Sequence, residues 1–229
     1  MSSRTFHGVV LLLVGGTLLK VTLDGAYLRY VKPGARPLLL AAGIVLLVVA
    51  VASLLVRTGH DHHHGRFDVA WLLLAPMLAL VVIAPRALGS FTAARAGTAL
   101  GAASTSRLPS LPDGDPARVS LLDYASRAVF DHGASLGDRH VEVSGFLSPG
   151  PPGTWYLTRM VITCCAADAQ PVKVGLAGDS PTGVHANDWI DAVGTYTGRT
   201  DADPVNAGTV PYLAVTTWRP IATPVRPYE

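Results

Sequence analysis

Apolar side chains crowd the first third of the chain in long runs and, past residue 117, fall into short alternating segments. The cleanest run covers residues 37–56 (PLLLAAGIVLLVVAVASLLV), contains no ionisable residue and is followed at once by Arg57. A hydrocarbon core of about 30 Å takes roughly 20 helical residues, so this run predicts a transmembrane helix. Residues 69–85 predict a shorter span whose internal proline removes one backbone hydrogen bond. Residues 6–30 predict a further span, although its apolar run is interrupted by Lys20 and Asp24. These two are four apart, which places them on one helix face where opposite charges pair. The pair reads either as a polar spot in a transport pathway or as an ion pair turned to a neighbouring helix or the interface. Nothing resembling a small-x-small cleavage site closes the N-terminal run, so the segment is expected to stay.

About three spans therefore occupy residues 1–88. Residues 89–116 are rich in Ala, Ser, Thr, Gly and Pro and read as a linker. Ser120 stands as N-cap before an amphipathic stretch through Phe130, which predicts one short helix. The period then changes to two. Val141, Val143 and Gly145 alternate with Glu142 and Ser144, and β-forming segments follow at 154–163, 171–177, 189–196 and 211–217. Five short strands within residues 117–229 predict a small closed or nearly closed β-barrel, OB-like in topology. The fold class is thus mixed: an α-helical transmembrane region followed by a β-rich domain.

Composition fits this division, since 15% charged residues against an ordinary value of about 25% is a deficit located in the first half. Lys and Arg favour one side: Arg29, Lys32, Arg36, Arg86 and Arg95 against Arg4, Arg57 and Arg66. The positive-inside rule then places the C-terminal domain in the cytoplasm. A net charge of +2 without a dense basic stripe argues against nucleic acid as a partner. Trp155, Tyr156, Trp189, Tyr212 and Trp218 read as barrel core and interface residues rather than a base-stacking platform.

Candidate chemistry lies in two places. His60, His62, His63 and His64, with Asp61, offer four imidazoles and a carboxylate between two spans, a tract that reads either as a solvated polar loop or as a collecting site for zinc, nickel or copper. The chain's two cysteines, Cys164 and Cys165, are adjacent, with Asp168 close behind. Thiolate and carboxylate are zinc ligands, and a distant group such as His185 is a conceivable fourth. Buried or inert thiols beside a turn are the competing reading, and no CxxC pair supports dithiol redox chemistry. No GxSxG, HExxH, Walker A or GxGxxG pattern occurs in a fitting context, and no catalytic residue is assigned.

The N-terminal apolar pair joined through Tyr30-Val31-Lys32-Pro33, the His-rich loop, the segment ITCCAADA at 162–169 and the Trp189-Ile190 strand ending in Gly194 together resemble the YcgQ-type bacterial membrane proteins, described as permease subunits. That resemblance implies a multi-pass protein of the bacterial plasma membrane that acts beside a separate, larger permease. It implies importance for Cys164, Cys165, Ala167 and Asp168 without a defined role. The expected function is an accessory permease subunit whose β domain binds a partner or substrate. The alternative is a membrane-tethered metal-binding or sensing module using the His-rich loop, the vicinal cysteines or both.

Overall fold

The computed structural model describes residues 3–55, 87–100 and 108–229. They belong to two compact units, Met1–Arg86 and Ala87–Glu229.

In the first unit, helices α1 (Ser3–Leu23) and α2 (Arg36–Leu55) are joined through two 3₁₀ turns, Ala26–Arg29 and Pro33–Ala35. Gly25, at φ 76°, provides the left-handed residue at which the chain leaves α1. The two helices pack through small residues. A β-carbon on Gly15 would lie 3.1 Å from the Gly43 carbonyl oxygen, and one on Gly43 only 2.7 Å from the Leu19 side chain. Gly8 meets Leu54 in the same way, which fixes an antiparallel pairing by close backbone approach. Leu12, Leu13, Val45, Val48 and Val49 remain exposed on the outside of the pair.

Pro33–Leu55 is, among the described residues, the one helical stretch long and apolar enough to cross a membrane, and His7–Leu23 is a shorter apolar helix. The span expected over 6–30 is cut short because α1 ends at Leu23, ahead of Gly25. The span expected over 69–85 lies outside the described residues. Among the described residues one candidate span thus stands, where the runs at 6–30 and 37–56 predict two.

The second unit is a closed five-stranded barrel with helical segments before it. Its strands are β2 (Val141–Pro149), β3 (Trp155–Val161), β4 (Gln170–Gly178), β5 (Trp189–Ala202) and β6 (Thr209–Ile221), with a two-residue strand β1 (Ala117–Arg118) parallel to β2. Around the barrel the order is β2-β3-β4-β6-β5, and β5 closes back on β2. The β4 and β6 pairing is parallel and the other four barrel pairings are antiparallel. Val141, Val143, Leu147, Leu157, Val172, Val174, Ile190, Leu213 and Val215 belong to its main apolar core. Gly194 is required where β5 bends against β6, since a β-carbon there would lie 2.2 Å from the Ala214 carbonyl oxygen.

Helix α3 (Leu121–Phe130) adds Leu121, Tyr124, Ala125 and Ala128, spaced as one helix face, to the same core. Its first-turn amides are all satisfied. Ser120 Oγ accepts from Asp123 N at 3.0 Å, as its N-cap position predicts, and the Glu229 carboxylate accepts from Leu121 N and Leu122 N. Tyr124 donates its hydroxyl to the Tyr212 carbonyl at 2.7 Å, which binds the helix to β6.

The Ala/Ser/Gly-rich stretch read as a linker is, over residues 89–100, packed on the barrel's outer surface together with residues 87 and 88. Ala93 is fully buried in a second apolar cluster with Phe146, Met160 and Trp189. Ser90 N donates to Asn187 Oδ1, and Ala99 N to the Pro171 carbonyl. Small residues allow this. A β-carbon on Gly89 or Gly97 would strike Asn187 or Asn206. Beneath the strap, Lys173 and Asp203 form an ion pair of 2.8 Å with side chains 3% and 0% exposed. Lys173 Nζ also donates to the Ala96 carbonyl, while Asp203 accepts from Thr98 N and Val205 N. Removing one member of a buried pair leaves an uncompensated charge, so Asp203→Ala is expected to lower unfolding stability by about 3–5 kcal/mol. The double change Lys173→Met with Asp203→Leu should restore only part of this, because the Thr98 and Val205 amides stay without acceptors. Denaturant unfolding of the three variants checks both expectations.

Candidate metal centre

Residues 162–169 connect the antiparallel strands β3 and β4, whose last registered pair is Val161 with Gln170. Ile162 N donates to the Glu229 carbonyl, the chain turns at Cys164 and Cys165, and Ala166–Asp168 forms one 3₁₀ turn. Asp168 organises the loop. Its Oδ1 accepts from Thr163 N at 2.8 Å, and its Oδ2 accepts from Cys164 N at 2.8 Å and Cys165 N at 3.3 Å. Cys165 takes the N-cap place, its sulfur accepting from the Asp168 amide while the Asp168 carboxylate accepts from the Cys165 amide. This is the reciprocal geometry of a capping box, with a thiol in place of the usual hydroxyl.

The consequence is convergence. One donor atom from each of Cys164, Cys165 and Asp168 lies within 4.8 Å of the other two. Adjacent residues on a regular strand would point to opposite faces, but here the strand has ended and the turn gathers both thiols on one side. Both are free; Cys164 is exposed and Cys165 half-buried. The Asp168 carboxyl is held down to about 2, first by the Cys164 thiol it accepts from and then by the backbone amides. The same contact pushes the Cys164 thiol up to about 11, with its hydrogen bond to Cys165 adding to the effect. Without a bound cation, the resting state is a thiol donating to a carboxylate. Two sulfurs and an oxygen at these separations are a donor set for a thiophilic cation.

The other candidates are not brought to this site. His60, His62, His63 and His64 lie outside the described residues. His185 sits in the loop after β4, at the other end of that strand from the cysteines; its amide donates to Asp188, and it is not in the converging donor group. Lys20 and Asp24 do form an ion pair, at the C-terminal end of α1.

Sequence reading missed two polar groupings on the barrel. One is the Lys173 and Asp203 pair. The other is a ladder in which Glu142 accepts from both Arg118 and Arg219, and Asp191 accepts from Arg219 and Ser144. These four charged residues come from four different strands, and only the register brings them together, so spacing along the chain carried no signal. Mutual satisfaction marks the ladder as structural.

Residues 127–229 match the model of the DUF1980 C-terminal domain, a family without an assigned activity. The match starts inside α3 and takes in the whole barrel together with Cys164, Cys165 and Asp168. Comparison with curated proteins and with solved structures returned no match.

The carboxylate's hold on Cys164 has a measurable effect. Asp168→Asn keeps an oxygen for the loop amides but removes the charge that opposes thiolate formation. The Cys164 pKa should then fall from about 11 toward the ordinary thiol range. Lower nucleophilicity of the more acidic thiol offsets part of the gain in thiolate, which leaves maleimide labelling at pH 7.5 faster by roughly tenfold. Time-resolved intact mass of the labelled protein reads this directly. An unchanged rate would show that the carboxylate does not govern the thiol.

Proposed function

We propose that this chain is a membrane-anchored metal-binding module whose barrel presents the Cys164, Cys165 and Asp168 site to a thiophilic cation. The observation that carries the reading is the convergence of the three donor atoms within 4.8 Å in a loop shaped by Asp168 itself. Thiolates bind such cations after losing their protons, and the exposed position of Cys164 gives an ion direct access. The barrel is read as OB-like because its strand order and its single parallel pairing match the topology expected for that class. Oligonucleotide binding has little support. The outer face of β3 and β4, which such barrels use for it, carries the chain's own residues 93–100.

Anchoring is assigned to Pro33–Leu55, with the apolar surface of α1 beside it. A multi-pass placement in the bacterial plasma membrane, with the barrel in the cytoplasm, rests on the apolar run at 69–85 and on the Lys and Arg distribution. Within that frame a second reading keeps the chain as an accessory subunit of a larger permease. Its support is the resemblance to YcgQ-type proteins and the exposed apolar side chains of α2, which fit a neighbouring helix as well as lipid. Crosslinking in native membranes should enrich a larger multi-span protein; recovery of this chain alone counts against the second reading only.

The metal reading is tested by stoichiometry. Detergent-solubilised protein equilibrated with zinc or copper under reducing conditions should retain one more equivalent than the Cys164→Ser, Cys165→Ser double variant. The comparison is made in chains whose His60, His62, His63 and His64 are changed to Ala, so the loop does not mask the result. Equal metal content in the two proteins would defeat the reading.

A further inference from the structure

We infer that the Cys164 and Cys165 site is built for monovalent copper, held by the two thiolates alone, with Asp168 acting as the loop's organiser and not as a ligand. This rests on the metal reading above and narrows it. A carboxylate has about four lone-pair directions. Three are taken here by the amides of Thr163, Cys164 and Cys165, and the fourth accepts from the Cys164 thiol. Turning the carboxylate toward a metal would leave those amides without their acceptor and release the turn that gathers the thiols. Asp168 therefore belongs to the shell behind the ligands, where such groups fix ligand orientation.

What remains for the ion is two sulfurs on adjacent residues. Among the described residues no other His, Cys, Asp or Glu donor joins the group. Zinc in a structural protein site takes four ligands, and two thiolates alone leave half of its tetrahedron to water. Monovalent copper is soft, prefers thiolate and is content with few ligands. Metal–sulfur bonds of about 2.3 Å, drawn to either side of one ion, span a sulfur separation no wider than about 4.6 Å. The converging atoms lie within 4.8 Å of one another, so a small side-chain adjustment brings both sulfurs onto one ion. Its exposure suits an ion that is received and passed on by thiol exchange more than one locked in place.

The test uses the full chain carrying the four His-to-Ala changes in the 60–64 tract, kept reduced and free of oxygen. Copper(I) affinity is measured by competition with bathocuproine disulfonate and zinc affinity with a chromophoric zinc chelator. One copper(I) per chain is expected, bound more tightly than zinc, with affinity lost on Cys164→Ser or Cys165→Ser. Asp168→Asn should weaken copper(I) by no more than the 10- to 100-fold typical of a residue behind the ligands, and X-ray absorption of the loaded protein should show sulfur neighbours only. Zinc bound more tightly than copper(I), or an oxygen neighbour that disappears in Asp168→Asn, would overturn the inference while leaving the metal reading intact. Failure to bind either ion would remove both. The absorption measurement on unaltered Asp168 decides the ligand question even where Asp168→Asn disturbs the loop.

Discussion

The barrel unit depends on a charge pair that water does not reach. Lys173 projects from β4 and Asp203 from the connection between β5 and β6, and each offsets the cost of burying the other. Both also bond the strap, Lys173 through the Ala96 carbonyl and Asp203 through the Thr98 amide, while the Val205 amide donates to the other Asp203 oxygen. The pair thus ties three stretches distant in sequence to one another, and the strap in turn shields the pair. Strap and pair are one cooperative feature, because either alone would leave buried polar groups without partners.

The same strap lies close to the cysteine loop in the packing. Ala169, the residue after Asp168, packs against the outer apolar cluster that Ala93 enters and that Leu88 borders. Two residues further, Pro171 accepts from Ala99. The start of β4 therefore holds a candidate ion site on one side and the strap on the other. Rigid support of this kind is what a thiol pair needs if its two sulfurs are to stay convergent.

Much of the barrel was legible because its interior follows a simple rule. Val141 and Val143, or Val172 and Val174, alternate with residues that face outward, and alternation is visible in sequence. The Ser120 cap was legible for the same reason, being local. The last residues of β5 and β6 were not, since Thr197, Arg199 and Arg219 are polar on a stretch with little buried face and carry no period. Lys173 reads as an ordinary solvent-facing residue between two core valines. Its burial comes from residues about 75 positions earlier in the chain. Residues 87–100 misled in the opposite direction, since small side chains suit a free linker and a closely docked strap equally well. At the cysteine loop the residue types were visible, but the division of labour between thiols and carboxylate rests on three amide hydrogen bonds that only coordinates reveal.

The strap also has a place in time. A ribosome releases residues 87–100 before Lys173, Asn187, Asp203 and Asn206 exist, so the segment emerges while every group it will dock against is still unmade. Its receptor is complete only when β6 has paired in parallel with β4, a non-local closure of the slow kind. During that interval a strap rich in large apolar residues would be a nucleus for aggregation. Ala, Ser, Thr and Gly let it wait in water at little cost and then fasten the finished barrel from outside.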